Sequence, residues 1–205
     1  MITVDEAYTR RAGEYVDRFG SMTAVHPSDR QLVETWSDGV SGRVLDAGCG
    51  PGHWTDHLVR RGRAARGIDL VPAFVESARA TYPGVAFAVA SIDRIDEDDG
   101  ALGGVLSWYS TIHHAPDRIS VPLAEFARVL RPGGTLLLGY FDSETTVQQF
   151  DHAVAPAYRW PASGLHAALQ RHGFEVLESH RRTGRGYRPH GAVVCRRGDG
   201  EAPTT

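Results

Sequence analysis

A short apolar strand that runs straight into a glycine ladder is the feature that most constrains this chain. Val44-Leu45 leads into Asp46-Ala47-Gly48-Cys49-Gly50-Pro51-Gly52, and helical spacing follows from His53 to Arg61, with Trp54, His57 and Leu58 along one face. Glycine is needed where the backbone turns with positive φ, or where a ligand comes too close for a Cβ. Strand, glycine turn and helix in that order open a βαβ unit. Such units build a parallel sheet whose ligand crevice lies at the carboxyl ends of its strands.

The spacing of the ladder selects among ligands. A dinucleotide site has G-x-G-x-x-G, its third glycine letting the helix pack beneath a pyrophosphate. Here the third glycine comes one residue early, and His53 stands at the expected place. A P-loop is excluded more firmly, because there is no Gly-Lys-Ser/Thr and no lysine at all. Asp46 would repel a pyrophosphate; it suits a ligand with an ammonium group and hydroxyls. Asp69 stands near the end of the next apolar stretch, Ala65 to Leu70, 23 positions after Asp46. A carboxylate there can accept hydrogen bonds from both hydroxyls of a ribose. Either aspartate alone is explained as well by a helix N-cap. The pair around a glycine ladder is not.

Along the rest of the chain, strands alternate with helices. Apolar or aromatic positions at Val4, Ala7, Tyr8, Ala12, Tyr15, Val16 and Phe19 predict an amphipathic helix over 3–19, and a second helix is expected after Pro27, capped by Ser28 or Asp29 and running to Gly39. A helix from Pro72 to about Ala80 and a strand Val85 to Ala90 precede an acidic loop (Asp96, Glu97, Asp98, Asp99). A strand Val105 to Tyr109, a helix Ile119 to Leu130, the stop Arg131-Pro132-Gly133-Gly134 and a strand Thr135 to Phe141 complete the core. Near-continuous apolar strands between helices mean a parallel sheet covered on both faces. A helix Ala162 to His172 and two strands, Phe174 to Arg182 and Tyr187 to Arg196, follow; with no helix between them, the two strands should pair as a hairpin.

The chain therefore divides into a helical cap (1–40), a ligand-binding core (41–141), a lid loop (142–162), a C-terminal helix and hairpin (163–197) and a frayed tail (198–205), all within one domain of 205 residues. A net charge of −3 argues against a polyanion binder, and the C-terminal arginines, interleaved with Glu175 and Glu178, read as a solvated sheet edge. Cys49 and Cys195 form neither a disulfide framework nor a CxxC pair. No apolar run approaches the ~18 residues of a membrane span, and no signal-peptide pattern opens the sequence, so a cytoplasmic location is expected.

With these motifs in order, residues 44–141 resemble the core of class I S-adenosylmethionine (SAM) dependent methyltransferases, near the small bacterial enzymes of the quinone-biosynthesis type. Val44 to Gly52 resembles the family's first motif, Gly67-Ile68-Asp69-Leu70 its second, and Phe126 to Gly134 its helix and turn after strand four. The resemblance implies a three-layer Rossmann-like α/β sandwich with a seven-stranded sheet, only the last strand antiparallel, and two N-terminal cap helices. It implies SAM as cofactor, with S-adenosylhomocysteine as its product. Gly48 and Gly50, with Cys49 between them, would lie against the methionine part, Asp46 would help hold its amino group, Asp69 would bind the ribose, and Leu70 would flank the adenine. Where similar enzymes carry Gly-Asp after strand three, this chain has Ala90-Ser91-Ile92, which leaves the Ser91 hydroxyl and Ile92 backbone as adenine contacts and Asp93 as a substitute acid.

Trp108, Tyr109, His113 and His114 follow strand four and so border the reacting end of the crevice. Methyl transfer needs alignment of nucleophile and methyl group, and removal of the acceptor's proton. His113 is the first expected base and His114 the second, since an imidazole near pKa ~6.5 suits that task. No HExxH or matching carboxylate spacing supports a metal. Tyr8 and Tyr15, seven apart, are expected on one helix face as the roof of the cofactor pocket, or else packed on the sheet. Tyr158, Arg159 and Trp160 would give the substrate an aromatic wall and one positive charge, suited to a carboxylate. With no large insertion the acceptor should be a small molecule. A base-modifying nucleic-acid enzyme is disfavoured because Ser107-Trp108-Tyr109-Ser110 replaces the Asn/Asp-Pro-Pro-Tyr/Phe motif. A non-catalytic SAM-binding protein is the remaining alternative.

Overall fold

The computed structural model describes residues 4–184 and 188–199. Its centre is a sheet of nine strands among these residues. They are β1 (Val44–Ala47), β2 (Ala65–Asp69), β3 (Ala86–Val89), β4 (Leu102–Trp108), β5 (Leu130–Ser143), β6 (Gln148–Phe150), β7 (Ala157–Pro161), β8 (Phe174–Arg182) and β9 (His190–Arg197). The first five run parallel in the order β3-β2-β1-β4-β5. β9 lies antiparallel to β5, with Thr135 opposite Arg196 and Phe141 opposite His190, and β8 pairs antiparallel with β9. Those seven strands are the expected set, the last in the chain being the reversed one.

The remaining two correct the expectation of a seven-stranded sheet. Residues 148–161, expected as part of a lid loop, hold a hairpin in which β6 pairs antiparallel with β7. β7 in turn pairs parallel with the end of β5, from Phe141 to Ser143. β5 runs on to Ser143 because β7 takes over the edge that β4 leaves at Gly139, while His190 pairs with Phe141 on the other edge. Tyr158 and Trp160, within the stretch expected as a loop, are residues that favour strands.

Helices cover both faces. α6 (Ser120–Val129) and α7 (Ala162–Arg171) supply Leu123, Phe126, Leu165 and Leu169 to the larger core cluster. On the other face, α3 (Pro27–Gly39) and α4 (His53–Arg60) bring Val33, Trp36, Trp54 and Leu58 against Val44, Leu106, Leu137 and Val194. The Trp36 indole also donates to the Thr135 hydroxyl at 3.0 Å. α3, expected as a second cap helix, is thus a core layer: its apolar stripe is buried against the sheet. Its N-cap is His26, whose Nδ1 accepts from Ser28 N, rather than Ser28 or Asp29.

The single N-terminal helix expected over 3–19 is two, α1 (Val4–Arg10) and α2 (Ala12–Phe19). The break is at Arg11 (φ −116°, ψ 13°), whose guanidinium reaches the Ala153 carbonyl and Glu14. Residue 3, the side chains of Val4 and Phe19, Tyr187 as the expected start of the last strand, Arg185 and the tail from 200 onward lie outside the described residues. No described helix is long and apolar enough to cross a membrane.

Candidate active site

At the carboxyl end of β1 the chain turns on Gly48 (φ 81°), Gly50 (φ 53°) and Gly52 (φ 85°). The three play different parts. A Cβ on Gly48 would collide with Ser110, and one on Gly52 with Phe87 and Ala78, so these glycines seat the loop on the segment after β4 and on β3. A Cβ on Gly50 would meet nothing, so the crevice opens over that residue. Cys49 turns its side chain the other way, into a cluster with Val75, Ala78 and Phe87, and offers only backbone to the crevice.

Two carboxylates sit under and beside the loop. Asp46 is 1% exposed; its Oδ2 accepts from the Thr55 hydroxyl at 2.6 Å, tying β1 to α4. Burial pushes its pKa up to about 7 despite that bond. In this place the side chain braces the loop from below. Asp69 lies at the edge of the crevice. Its Oδ2 accepts from Gly50 N at 2.8 Å and its Oδ1 from Val71 N at 2.9 Å. Each oxygen keeps a lone pair for a further donor. Burial raises its pKa, while those backbone bonds pull it down.

Beyond Asp69 the surface is apolar. Leu70 is 50% exposed, and Val89, at the end of the neighbouring β3, is 49% exposed. Large apolar side chains left this open at strand ends mark a surface for a ring to cover. Ser91 and Ile92 follow β3, two and three positions after Val89. The Ser91 hydroxyl accepts from Asp93 N, and the Ile92 side chain is in the core. Asp93 grips His114 Nε2 at 2.8 Å.

The roof is α1 and α2. Tyr8 and Tyr15 meet edge-on at 5.6 Å, and both pack on Phe74 of α5 (Pro72–Thr81), at 5.7 and 5.1 Å. Burial, with the charge of Asp69 added, raises both phenol pKa values, Tyr15 to about 12. The two expected roof tyrosines therefore meet over the acidic end of β2.

Tyr8 also joins the roof to the reacting end. Its hydroxyl is 2.9 Å from His113 Nε2, and His113 Nδ1 is 2.8 Å from the Pro156 carbonyl. A carbonyl only accepts, so Nδ1 carries the ring proton and Nε2 receives the Tyr8 hydroxyl. Burial lowers the His113 pKa, keeping the ring neutral. His114 is placed differently: Asp93 requires the proton on Nε2, and Nδ1 is buried with no partner. Of the two, His113 faces the roof with a basic nitrogen.

Past His113, Tyr109 has φ 61°, the one non-glycine among the described residues at positive φ. A tyrosine there is strained by about 1–3 kcal/mol and must be held. Its hydroxyl is 2.6 Å from His190 Nδ1, and its ring stacks at a tilt on Phe141, 5.1 Å away. Phe150 and His152 complete this ring-lined end, His152 lying 5.4 Å from His113. Trp108 packs on Trp54 and over Gly139, as part of the core. Trp160, expected in the substrate wall, is buried in the larger core cluster, because alternation along β7 turns it inward. Tyr158 is partly buried, its backbone N bonded to the Ile112 carbonyl, and Arg159 lies over the Phe150 ring. Phe141, Phe150, His152 and His190 were not singled out from sequence, and Arg188 was read with the other C-terminal arginines as a solvated sheet edge. The hairpin pairing was the available signal: an antiparallel return beside β5 brings His190 next to Phe141.

A surface hollow of about 790 Å³, lined by Arg94, Asp96, Glu97, Glu125 and Arg128, lies elsewhere. Glu97 there binds Arg43 and Arg66 at the opposite end of β1 and β2 from the glycine loop, so this acidic hollow is not part of the crevice.

Comparison with known proteins agrees with this geometry. Residues 44–134 match the family model described as a methyltransferase domain. A ubiquinone biosynthesis O-methyltransferase from Paracidovorax citrulli is 32% identical over 108 residues, which are 48% of this chain and 45% of that protein. The chain thus spans about half the length of the curated relatives it matches. Among solved structures, the 1,6-didemethyltoxoflavin-N1-methyltransferase of Burkholderia thailandensis superposes with a TM-score of 0.79 at 22% identity, covering 96% of this chain and 88% of its own. The cyclase SpnF superposes with a TM-score of 0.77 at 19% identity, covering 97% and 98%. Over residues 44–134 the chain is therefore similar to proteins with a methyltransferase domain, and its fold is shared with solved methyltransferases and a cyclase.

Proposed function

We propose that the protein transfers a methyl group from SAM to a nucleophile on a small molecule, with His113 as the base that receives the acceptor's proton. The residues present suit the cofactor. Gly50 leaves the loop open, Asp69 has a lone pair free on each oxygen for the ribose hydroxyls, and Leu70 offers an apolar face to the adenine. Tyr8 and Tyr15 cover it from above. When bound, SAM supplies an activated methyl group on a sulfonium. The protein's own work is then to align the acceptor, exclude water with the roof, and take up a proton at His113 Nε2.

The observation that carries this reading is the Tyr8–His113–Pro156 chain. It orients a neutral imidazole, with its basic nitrogen turned toward the roof of the cofactor crevice. An acceptor hydroxyl or N–H would replace the Tyr8 hydroxyl at Nε2. The Burkholderia neighbour, described with bound 1,6-didemethyltoxoflavin and S-adenosylhomocysteine, supports a small acceptor. Fold alone does not fix the reaction, since a cyclase shares it, so the proposal stands on His113.

The test is turnover. Protein, SAM and a panel of small phenols, amines and heteroaromatic N–H compounds are incubated, and S-adenosylhomocysteine release and methylated products are measured. Turnover of at least one acceptor is expected, reduced ~10²–10⁴-fold in His113→Ala. Full cofactor binding with no turnover across the panel would favour a non-catalytic SAM-binding protein.

A further inference from the structure

The ring-lined end beyond His113 holds two arginines that form no ion pair among the described residues. Nearby arginines are paired: Arg181 with Asp142, and Arg182 with Asp29. Arg159 and Arg188 are not. Among the described residues neither meets a carboxylate. Instead both guanidiniums lie over the Phe150 ring, at 4.5 Å and 5.0 Å, and Arg188 lies 5.9 Å from Phe141 as well. Arg159 Nε is buried without a hydrogen-bond partner.

The groups around them add no countercharge. Phe141 and Phe150 meet edge-on at 5.3 Å, and His152 and His190 flank Phe141 at 6.2 and 5.6 Å. Burial, then the charge of neighbours that include Arg188, pushes both histidines down to about 4, so they stay neutral. His152 Nδ1 is buried with no partner, a second polar atom here awaiting one. A buried donor left unpaired is unfavourable, and a ring array invites a flat occupant.

On the basis of the function proposed above, we infer that this end is the acceptor subsite and that it selects a planar aromatic or heteroaromatic acid. The ring lies among Tyr109, Phe141, Phe150 and His152. The carboxylate is held by Arg159 and Arg188, whose planar forks match its two oxygens. The proton to be removed is at the other end, toward His113, which the His152 ring separates from Phe141 and Phe150.

The experiment uses protein saturated with S-adenosylhomocysteine and two probes of one shape, 4-hydroxybenzoate and its uncharged amide, 4-hydroxybenzamide, titrated by ligand-observed NMR. The acid should bind about tenfold or more tightly than the amide. Arg188→Gln, at an exposed position where folding is not at stake, and Arg159→Gln should each remove most of that preference. Affinity for the amide and for S-adenosylhomocysteine should not change. Equal binding of acid and amide, no binding of either to the saturated protein, or a preference that survives both substitutions would each overturn the assignment. S-adenosylhomocysteine affinity is read in the same samples. Its loss in the wild-type protein would instead mark failure of the cofactor assignment, and the subsite would fall with it.

Discussion

On the function proposed above, the crevice has a cofactor half and an acceptor half, and the two are built in different ways. The cofactor half is made of backbone and a few short side chains close in sequence: Gly48, Gly50 and Gly52, with Asp46 and Asp69 on adjacent strands. The acceptor half is made of long side chains brought together from afar. Tyr8 meets His113 across 105 positions, and Tyr109 meets His190 across 81. The first half is fixed by turns that only glycine makes easily, so it can hardly vary without failing. The second depends on packing among rings, which can be exchanged without breaking the sheet. A constant ligand on one side and a variable one on the other call for this division.

Substitutions that strike one half and spare the other test the division. The largest effect belongs to His113→Ala, which should lower turnover ~10²–10⁴-fold while S-adenosylhomocysteine affinity holds, as steady-state kinetics beside calorimetry would read. Next is Thr55→Val. It removes the hydroxyl bonded to the buried Asp46, so urea denaturation should show about 1.5–3 kcal/mol less stability with an unchanged slope. The pH profile sharpens the picture of the acceptor half. His113 must be unprotonated to take a proton, and burial lowers its pKa, so kcat/KM should fall with acidification only below about 6.5. An acidic limb centred above 7 would contradict the burial of that base. The smallest effect is Leu70→Ser, which trims apolar contact at one side of the cofactor. Affinity for S-adenosylhomocysteine should weaken a few-fold, with acceptor KM unaltered.

The same contrast explains what the sequence revealed. The glycine ladder, Asp69 and the succession of strands and helices were readable because they follow from local spacing and from apolar runs, while the reversed last strand came from the family resemblance. His113 was named by its position after β4, and Tyr8 and Tyr15 by their spacing, although they stand on two helices rather than on one helix face. The β6–β7 hairpin was not, since its pairing depends on where β4 leaves the edge of β5 free. Trp160 looked like a substrate wall because aromatic type does not say which face of a strand it occupies. The break at Arg11 coincides with a contact to Ala153, 142 positions away. Arg188 and His190 entered the site only through the return of β9.

The most direct test of the central claim is calorimetric titration of S-adenosylhomocysteine into the wild-type protein and Asp69→Ala, with NADH as the control ligand and a thermal melt to verify folding. The account predicts micromolar binding to the wild type, a loss of about 100-fold or more in Asp69→Ala, and no NADH binding. Folded wild-type protein that ignores S-adenosylhomocysteine, or an Asp69→Ala variant that binds it as well as the wild type does, would contradict it.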